Sequence, residues 1–186
     1  MSILKVSRMG HPVLRERAGE VTPEQVRDPR LQQLIDDMFE TLDDYEGIGL
    51  AAPQVFQPAR LVVLGLEDPD PDTGERARVP RTALLNPEWL HRSPSSVEGW
   101  EGCLSVPGLR GLVPRADTVR VQGLDRRGQI VELEASGLFA RVLQHEIDHL
   151  DGVLYLDRMA DLRSLSFLEE YERYWMAEAD EEEGEG

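Results

Sequence analysis

The sequence is poor in cysteine and in lysine. Cys103 is the single cysteine, so the chain cannot form an internal disulfide, and its fold does not depend on an oxidising compartment. Lys5 is the single lysine, and the remaining basic charge is carried by arginine. A lone cysteine is most often a small buried hydrophobic residue, and this interpretation of Cys103 stays open beside a chemical one.

Long apolar runs are also missing. No run approaches the roughly 18 residues that span a bilayer. The first twenty residues contain neither an apolar core nor a small-residue cleavage site, which a secretory signal needs. Glu16, Glu20 and the early Pro12 argue against a transit peptide. We therefore expect a cytoplasmic protein with no membrane association.

Acidic residues strongly outnumber basic ones, and the formal net charge is −16. Part of this charge is a block of glutamates and aspartates within 178–186, which we expect to be a disordered, solvated tail. The remaining body is still acidic, which argues against direct nucleic-acid binding. A chain of 186 residues suits one hydrophobic core, so residues 1–177 are predicted to form a single catalytic domain.

Local sequence patterns predict an α+β domain. Asp28 and Pro29 are suited to cap and start a helix, and alternating apolar residues around the turn at 125–128 indicate a β-hairpin. The predicted elements are a helix from Asp28 to Glu46, strands at 60–66 and 82–85, a loop at 67–74, a hairpin of 117–124 and 129–134, and helices at 138–150 and 161–177. Small mixed or antiparallel sheets should therefore surround a central helix, with further helices at both ends.

The central helix carries the HExxH pattern, as HEIDH at 145–149. His145 and His149 lie four residues apart on one helical face, so both imidazoles can reach one metal ion. Glu146 is rotated by roughly 100° and can accept a proton from water beside the ion. A chance match on a charged helix is the alternative. The apolar residues around the motif argue against it, because buried polar groups need partners.

A catalytic zinc-type site needs a third protein ligand, and no histidine follows the motif. The downstream glutamates Glu169, Glu170 and Glu172 have the pattern of solvated charges on a surface helix. Cys103 is the better candidate, because its neighbouring glycines indicate a close backbone approach. A thiolate with two imidazoles suits iron(II), zinc, cobalt or nickel.

Three segments together resemble the signature motifs of the peptide deformylases. They are GIGLAAPQ at 47–54, EGCLS at 101–105 and QHEIDHLDG at 144–152, in the order and at the separations of that family. The resemblance continues through LVPRAD at 112–117 and covers most of the chain. The expected C-terminal helix is typical of the type I branch.

The resemblance implies roles for individual residues. The implied metal ligands are Cys103, His145 and His149, and Glu146 is the implied acid–base. Two donors are expected to face the developing oxyanion: the side-chain amide of Gln54 and the backbone N–H of Leu104. The residues expected to contact substrate are Ile48, Gly49, Glu101, Arg110, Leu138 and Val142.

The resemblance also implies the reaction and its partners. We expect a metal-dependent hydrolase that removes the N-formyl group from formylmethionyl peptides and releases formate. One divalent ion is implied, iron(II) natively, with zinc, nickel or cobalt as alternatives. A transient ribosome contact is a further expectation from the family, although the acidic C-terminus argues against it.

Other interpretations remain at this point. A zinc endopeptidase, a closed structural metal site and a silent relative are the competing classes. Arg115 is either a surface or an ion-pairing residue, Asp148 is expected to pair with an arginine, and His11 and His91 are expected to be structural or exposed.

Overall fold

Helices and antiparallel sheets build an α+β fold, as predicted. The computed structural model describes residues 2–66 and 79–176. The predicted loop at 67–74 and the acidic tail at 178–186 therefore lie outside the described residues. In the part of the chain that is described, no helix is long and apolar enough to cross a bilayer.

The elements follow one another with short connections. The helices are α1 (Pro23–Val26), α2 (Pro29–Asp44), α3 (Gly137–Leu150) and α4 (Leu168–Tyr174). The strands are β1 (Gly49–Ala51), β2 (Leu61–Leu66), β3 (Val79–Arg92), β4 (Ser96–Cys103), β5 (Val106–Ala116), β6 (Thr118–Leu124), β7 (Ile130–Ser136) and β8 (Ser166–Phe167). Short 3₁₀ helices occupy Pro12–Arg15, Ala52–Val55 and Tyr155–Asp157.

Two antiparallel sheets organise the strands. The larger sheet has the order β1-β2-β3-β6-β7, and the smaller one has the order β4-β5-β8. The predicted hairpin is confirmed as β6 and β7, which pair from Thr118–Ser136 to Leu124–Ile130. Both β1 and β4 are edge strands of their sheets.

Helix α2 begins where the sequence predicts. The Asp28 side chain accepts a hydrogen bond from the Arg30 N–H at 2.8 Å, and Pro29 occupies the first turn. Its buried face, which includes Ile35, Met38 and Leu42, packs against one side of the larger sheet. The helix ends at Asp44, two residues before the predicted end.

Helix α3 is the central helix and matches its prediction within one residue. Ten of its fourteen residues are buried, because it crosses the larger sheet and faces the smaller one. Leu143, Ile147 and Leu150 lie in a core cluster with Leu64 and Val121 of the sheet. This packing places the HExxH residues in the interior.

Strand β3 corrects one prediction. The predicted stop at Asn86-Pro87 is wrong, since the strand continues to Arg92. Asn86 adopts a left-handed conformation with φ 49°, and the pairing with β6 shifts register between Leu85 and Glu88. The Asn86 side chain also bonds both backbone groups of Val21 at 2.8 Å. A bulge of this kind accommodates a proline without ending the strand.

The last helix begins later than the sequence pattern predicts. Within the described residues α4 spans 168–174, so the predicted start at Asp161 is wrong. The preceding Ser166 and Phe167 instead pair with Arg110 and Leu109 of β5. Tertiary pairing therefore overrides helix propensity in this segment. Strands β1, β4 and β5 were not predicted, because glycines and prolines interrupt their patterns.

Candidate active site

Helix α3 places its two motif histidines side by side in the interior. His149 is fully buried and His145 is nearly so. Their ring centroids are 4.9 Å apart. The four-residue spacing therefore has the consequence expected of it, with both imidazoles on one face.

Cys103 reaches the same point from the end of β4. Its Sγ lies 3.2 Å from Nε2 of His149, and the ligand atoms of Cys103, His145 and His149 all lie within 4.8 Å of one another. Two ligands of one tetrahedral ion are roughly 3.6 Å apart when each bond is about 2.1–2.3 Å. The donor set and its spacing therefore fit a divalent metal ion with soft and borderline character.

The surroundings favour the thiolate form of Cys103. Burial alone would raise the pKa of the thiol, but the charge of His149 and hydrogen bonds with His145 and His149 outweigh it. The pKa is therefore held well below its ordinary value. A deprotonated sulfur is the form that binds a metal.

Glu101 organises the histidine next to it. Its carboxylate lies 2.9 Å from Nδ1 of His145 and accepts two hydrogen bonds from Arg115, at 2.8 and 3.0 Å. Arg141 donates a further one at 2.9 Å. Burial opposes ionisation, but the bonds from Arg115 and His145 outweigh it and lower the pKa of Glu101 to about 2. A carboxylate on Nδ1 leaves Nε2 of His145 available as a ligand.

Arg115 extends this network to Asp148. Its Nη1 lies 2.5 Å from Asp148, which also bonds Arg158 at 2.7 Å. The expectation that Asp148 pairs with an arginine is therefore met, and Arg115 is a buried ion-pairing residue. Sequence reasoning missed Arg141 and Arg158, because their partners lie on other elements.

Gln54 is fixed with its donor end toward Cys103. It lies in the 3₁₀ helix Ala52–Val55, where its Oε1 accepts a hydrogen bond from the Ala51 N–H at 2.8 Å. Its Nε2 lies 3.5 Å from the Cys103 Sγ and 3.3 Å from the Ser105 Oγ. The amide orientation is thus set by the backbone, and its N–H groups face the candidate metal site.

Glu146 is buried beside the same group. Its Oε2 has no hydrogen-bond partner, and burial raises the pKa of its carboxyl above the ordinary value. Gly49 leaves the necessary space, since a Cβ there would lie 2.6 Å from Oε1 of Glu146. A buried carboxyl with an unpaired oxygen is suited to exchange a proton with a bound molecule.

One cavity of about 1450 Å³ opens onto these groups. The predicted site residues that line it are Ile48, Gly49, Gln54, Glu101, Cys103, Leu104, Arg110, Leu138, Val142, His145 and Glu146. His149 lies behind this wall and is fully buried. Further lining residues that the sequence patterns did not indicate include Trp100, Arg141 and Tyr171.

The N-terminal segment supports two of the three motifs. The N–H of Ser7 donates to the Gln54 carbonyl at 2.7 Å, and the N–H of Met9 donates to the Ser105 carbonyl at 2.8 Å. Lys5 and Arg8 of this segment are exposed and line the cavity. Segment 5–9 therefore belongs to the site.

Comparison with known proteins agrees with this geometry. The model of the family described as polypeptide deformylase matches residues 3–164. The chain belongs to this family. Deformylases are metal-dependent hydrolases, and the activity of this enzyme is the removal of the formyl group from the N-terminus of newly made peptides.

Two curated deformylases show how far the similarity extends. Peptide deformylase 1 of Bordetella pertussis is 49% identical over 166 residues, which cover 88% of this chain and 92% of that protein. Peptide deformylase 2 of Nostoc sp. is 42% identical over 170 residues, which cover 91% and 93%. The similarity therefore spans nearly the whole of each relative.

A solved deformylase gives the same fold. The class I type b peptide deformylase of Acinetobacter baumannii, in its structure with bound Met-Ala-Ser, superposes with a TM-score of 0.80 at 37% identity. The superposition covers 84% of this chain and 98% of that one. The predicted family and α+β fold are confirmed.

Proposed function

We propose that Cys103, His145 and His149 hold one divalent ion and that Glu146 is the acid–base of deformylation. The observation that carries this proposal is the convergence of one thiolate and two imidazoles beside a buried carboxyl whose Oε2 is unpaired. When bound, the ion supplies Lewis acidity, which lowers the pKa of water and polarises the formyl oxygen.

Glu146 accepts a proton in the first step of the reaction and donates it in the second. It takes a proton from the attacking water, whose oxygen bonds to the formyl carbon. The C–N bond then breaks, and Glu146 gives the proton to the departing amine. The products are formate and a peptide with a free N-terminus. Burial raises the pKa of Glu146 above that of an exposed glutamate, which makes its carboxylate a better proton acceptor.

Two donors of the chain stabilise the negative charge on the formyl oxygen. The Nε2 of Gln54 already faces the Cys103 sulfur, and Leu104 follows Cys103 directly at the wall of the cavity. We assign the Gln54 side-chain N–H and the Leu104 backbone N–H to this role. Loss of one such donor typically costs about 3–4 kcal/mol of transition-state stabilisation.

The substrate peptide lies extended between two strand edges. β1 and β4 are edge strands of different sheets, and Gly49 and Gly102 of these strands line the same cavity. A peptide there would pair with free backbone groups, as in other cases of strand addition. The Met-Ala-Ser peptide bound to the Acinetobacter relative supports a peptide ligand of this length.

The remaining substrate contacts surround that path. Ile48 and Gly49 border the peptide on the β1 side, and Leu138 and Val142 of α3 form an apolar wall for the methionine side chain. Arg110 lies at the rim on the β4 side. Glu101 lines the cavity, but its carboxylate is engaged by Arg115, Arg141 and His145, so it serves chiefly to orient His145. The proposed substrate contacts are therefore Ile48, Gly49, Arg110, Leu138 and Val142, and Glu101 acts through His145.

Iron(II) is the native ion that we propose, with zinc, nickel or cobalt as functional replacements, because all four accept a thiolate with imidazoles. We place the enzyme in the cytoplasm, with residues 1–177 as one catalytic domain. The acidic block after that domain repels RNA, so a transient ribosome contact would have to use another surface.

The decisive experiment compares Glu146→Gln with the exposed control Glu132→Gln. We expect Glu146→Gln to bind metal but to release formate from a formyl-Met peptide about 10²–10⁴ times more slowly. The control should match the unmodified enzyme. Metal content is measured on anaerobically purified protein. Cleavage of an unformylated peptide is measured separately, to test for endopeptidase activity.

Two outcomes would contradict the assignment. Substantial formate release by metal-loaded Glu146→Gln would remove the acid–base role. Unchanged metal content in Cys103→Ser would remove the sulfur from the ligand set.

A further inference from the structure

The two faces of β4 contact different parts of the protein. A Cβ on Gly99 would lie within 2.6 Å of Nη2 of Arg141, from α3. A Cβ on Gly102 would instead meet the guanidinium of Arg110, from β5. Successive side chains of a strand point to opposite faces. Trp100, like Gly102, therefore lies on the face away from α3.

An aromatic group covers this outer face of β4. Trp100 packs against Tyr171 of α4 with ring centroids 4.7 Å apart, and against Trp175 at 5.5 Å. Trp100 and Tyr171 are half-buried and line the cavity. Among the described residues, the three core clusters include neither ring, and α4 buries none of its residues. Their apolar surface thus faces the cavity and is not part of the core.

The cavity is larger than formylmethionine needs. Its volume is about 1450 Å³, and sites for whole drug-sized ligands are typically about 300–1,000 Å³. The apolar wall formed by Leu138 and Val142 belongs to α3, on one face of β4. Trp100 and Tyr171 lie on the opposite face of that strand. Room therefore remains for side chains beyond the first residue.

We propose that Trp100 and Tyr171 form a subsite for the side chain of the residue that follows formylmethionine, and that it selects large apolar side chains. The proposal rests on the proposed function, because it requires a peptide paired with the β4 edge. In such a peptide the methionine side chain points to α3, so the next side chain points to the outer face. Aromatic rings diagonal to a paired residue remain within contact distance.

The geometry assigns the selectivity to the second position and not to the third. The third side chain returns to the α3 side of the strand, away from Tyr171. The guanidinium of Arg110 lies over Gly102 and borders the subsite. Arg110 is held in this position because β5 pairs with β8, which immediately precedes α4. Through Tyr171, helix α4 thus contributes to the choice of substrate, although it does not touch the reacting atoms.

The test compares three peptides: formyl-Met-Ala-Ala, formyl-Met-Phe-Ala and formyl-Met-Ala-Phe. In the metal-loaded enzyme we expect kcat/KM to rise about fivefold for phenylalanine at position two and less than twofold at position three. Tyr171→Ala should bring the position-two ratio below two, and Tyr171→Phe should retain it. Tyr174→Ala is the matched control, because Tyr174 is on the same helix but is exposed and does not line the cavity.

Each ratio compares kcat/KM for two peptides measured with the same enzyme preparation. It therefore does not depend on the fraction of the enzyme that is active. Retention of the full ratio in Tyr171→Ala would overturn the subsite, and so would an equal or larger preference at position three. Absence of formate release from all three peptides in the unmodified enzyme would instead contradict the proposed function.

Discussion

Helices α3 and α4 both line the cavity, but they are held in opposite ways. α3 buries ten of its fourteen residues between the sheets, whereas α4 buries none of its seven. The first carries the HExxH residues, and the second presents Tyr171 beside Trp100. The candidate catalytic residues of α3 therefore lie in the packed core of the molecule, whereas the outer wall of the cavity is formed by a helix with no buried residue.

The largest effect on stability is expected from Leu143→Ala in α3. Leu143 is fully buried in the core cluster of the larger sheet. Loss of its side chain should lower the free energy of unfolding by about 2–5 kcal/mol, because a cavity replaces packed atoms. Urea denaturation measures this, with Leu162→Ala as the control, since Leu162 is 66% exposed. A loss below about 1 kcal/mol would show that the packing of α3 does not dominate the stability of the fold.

An intermediate effect, dependent on pH, is expected from Glu101→Gln. The pKa of Glu101 is about 2 in the folded protein, against an ordinary value of 4.5. The ionised form therefore stabilises the fold above pH 4.5, and this contribution is lost as the pH falls from 4.5 toward 2. The lower pKa corresponds to roughly 3 kcal/mol at neutral pH.

The measurement is the difference in unfolding free energy between the unmodified protein and Glu101→Gln at successive pH values. We expect this difference to shrink as the pH is lowered below 4.5. The exposed control Glu132→Gln should show no such trend. A difference that stays constant down to pH 3 would mean that Glu101 is not held ionised by Arg115 and His145.

The smallest effect is expected from Trp175→Ala beside α4. Trp175 is 43% exposed and contacts Trp100 at a centroid distance of 5.5 Å. Its loss should cost only about 0.5–1.5 kcal/mol. Thermal unfolding with Tyr174→Ala as the control checks this value. If Trp175→Ala lowered the free energy of unfolding as much as Leu143→Ala, the regions around α3 and α4 would not differ in their contribution to stability.

The site was predictable from the sequence to the extent that local spacing determined it. Helix α3 follows from its apolar periodicity, and the proximity of His145 to His149 follows from their spacing of four. The proximity of Cys103 to these histidines follows only from elimination and from the family resemblance, and in the structure the three ligand atoms lie within 4.8 Å of one another. The partnership of Glu101 with Arg115 and Arg141 joins separate elements and leaves no periodic signal in the sequence.

The fold was less predictable where backbone geometry compensates for an unfavourable residue. Asn86 and Pro87 have the pattern of a strand end, yet a left-handed Asn86 and a bulge let β3 continue. Residues 166–167 follow a helical pattern but pair with β5. Glycines in β4 weaken a strand pattern, although Gly99 and Gly102 are needed there to admit two arginines.

The hydrogen bonds of Ser7 and Met9 have a practical consequence. They attach segment 5–9 to the carbonyls of Gln54 and Ser105, and both of these residues also contact the sulfur of the candidate metal ligand Cys103. Trimming the chain before residue 10, or cleaving it there with a protease, would release both anchors together. Catalytic activity would thus report on whether segment 5–9 is intact and in place.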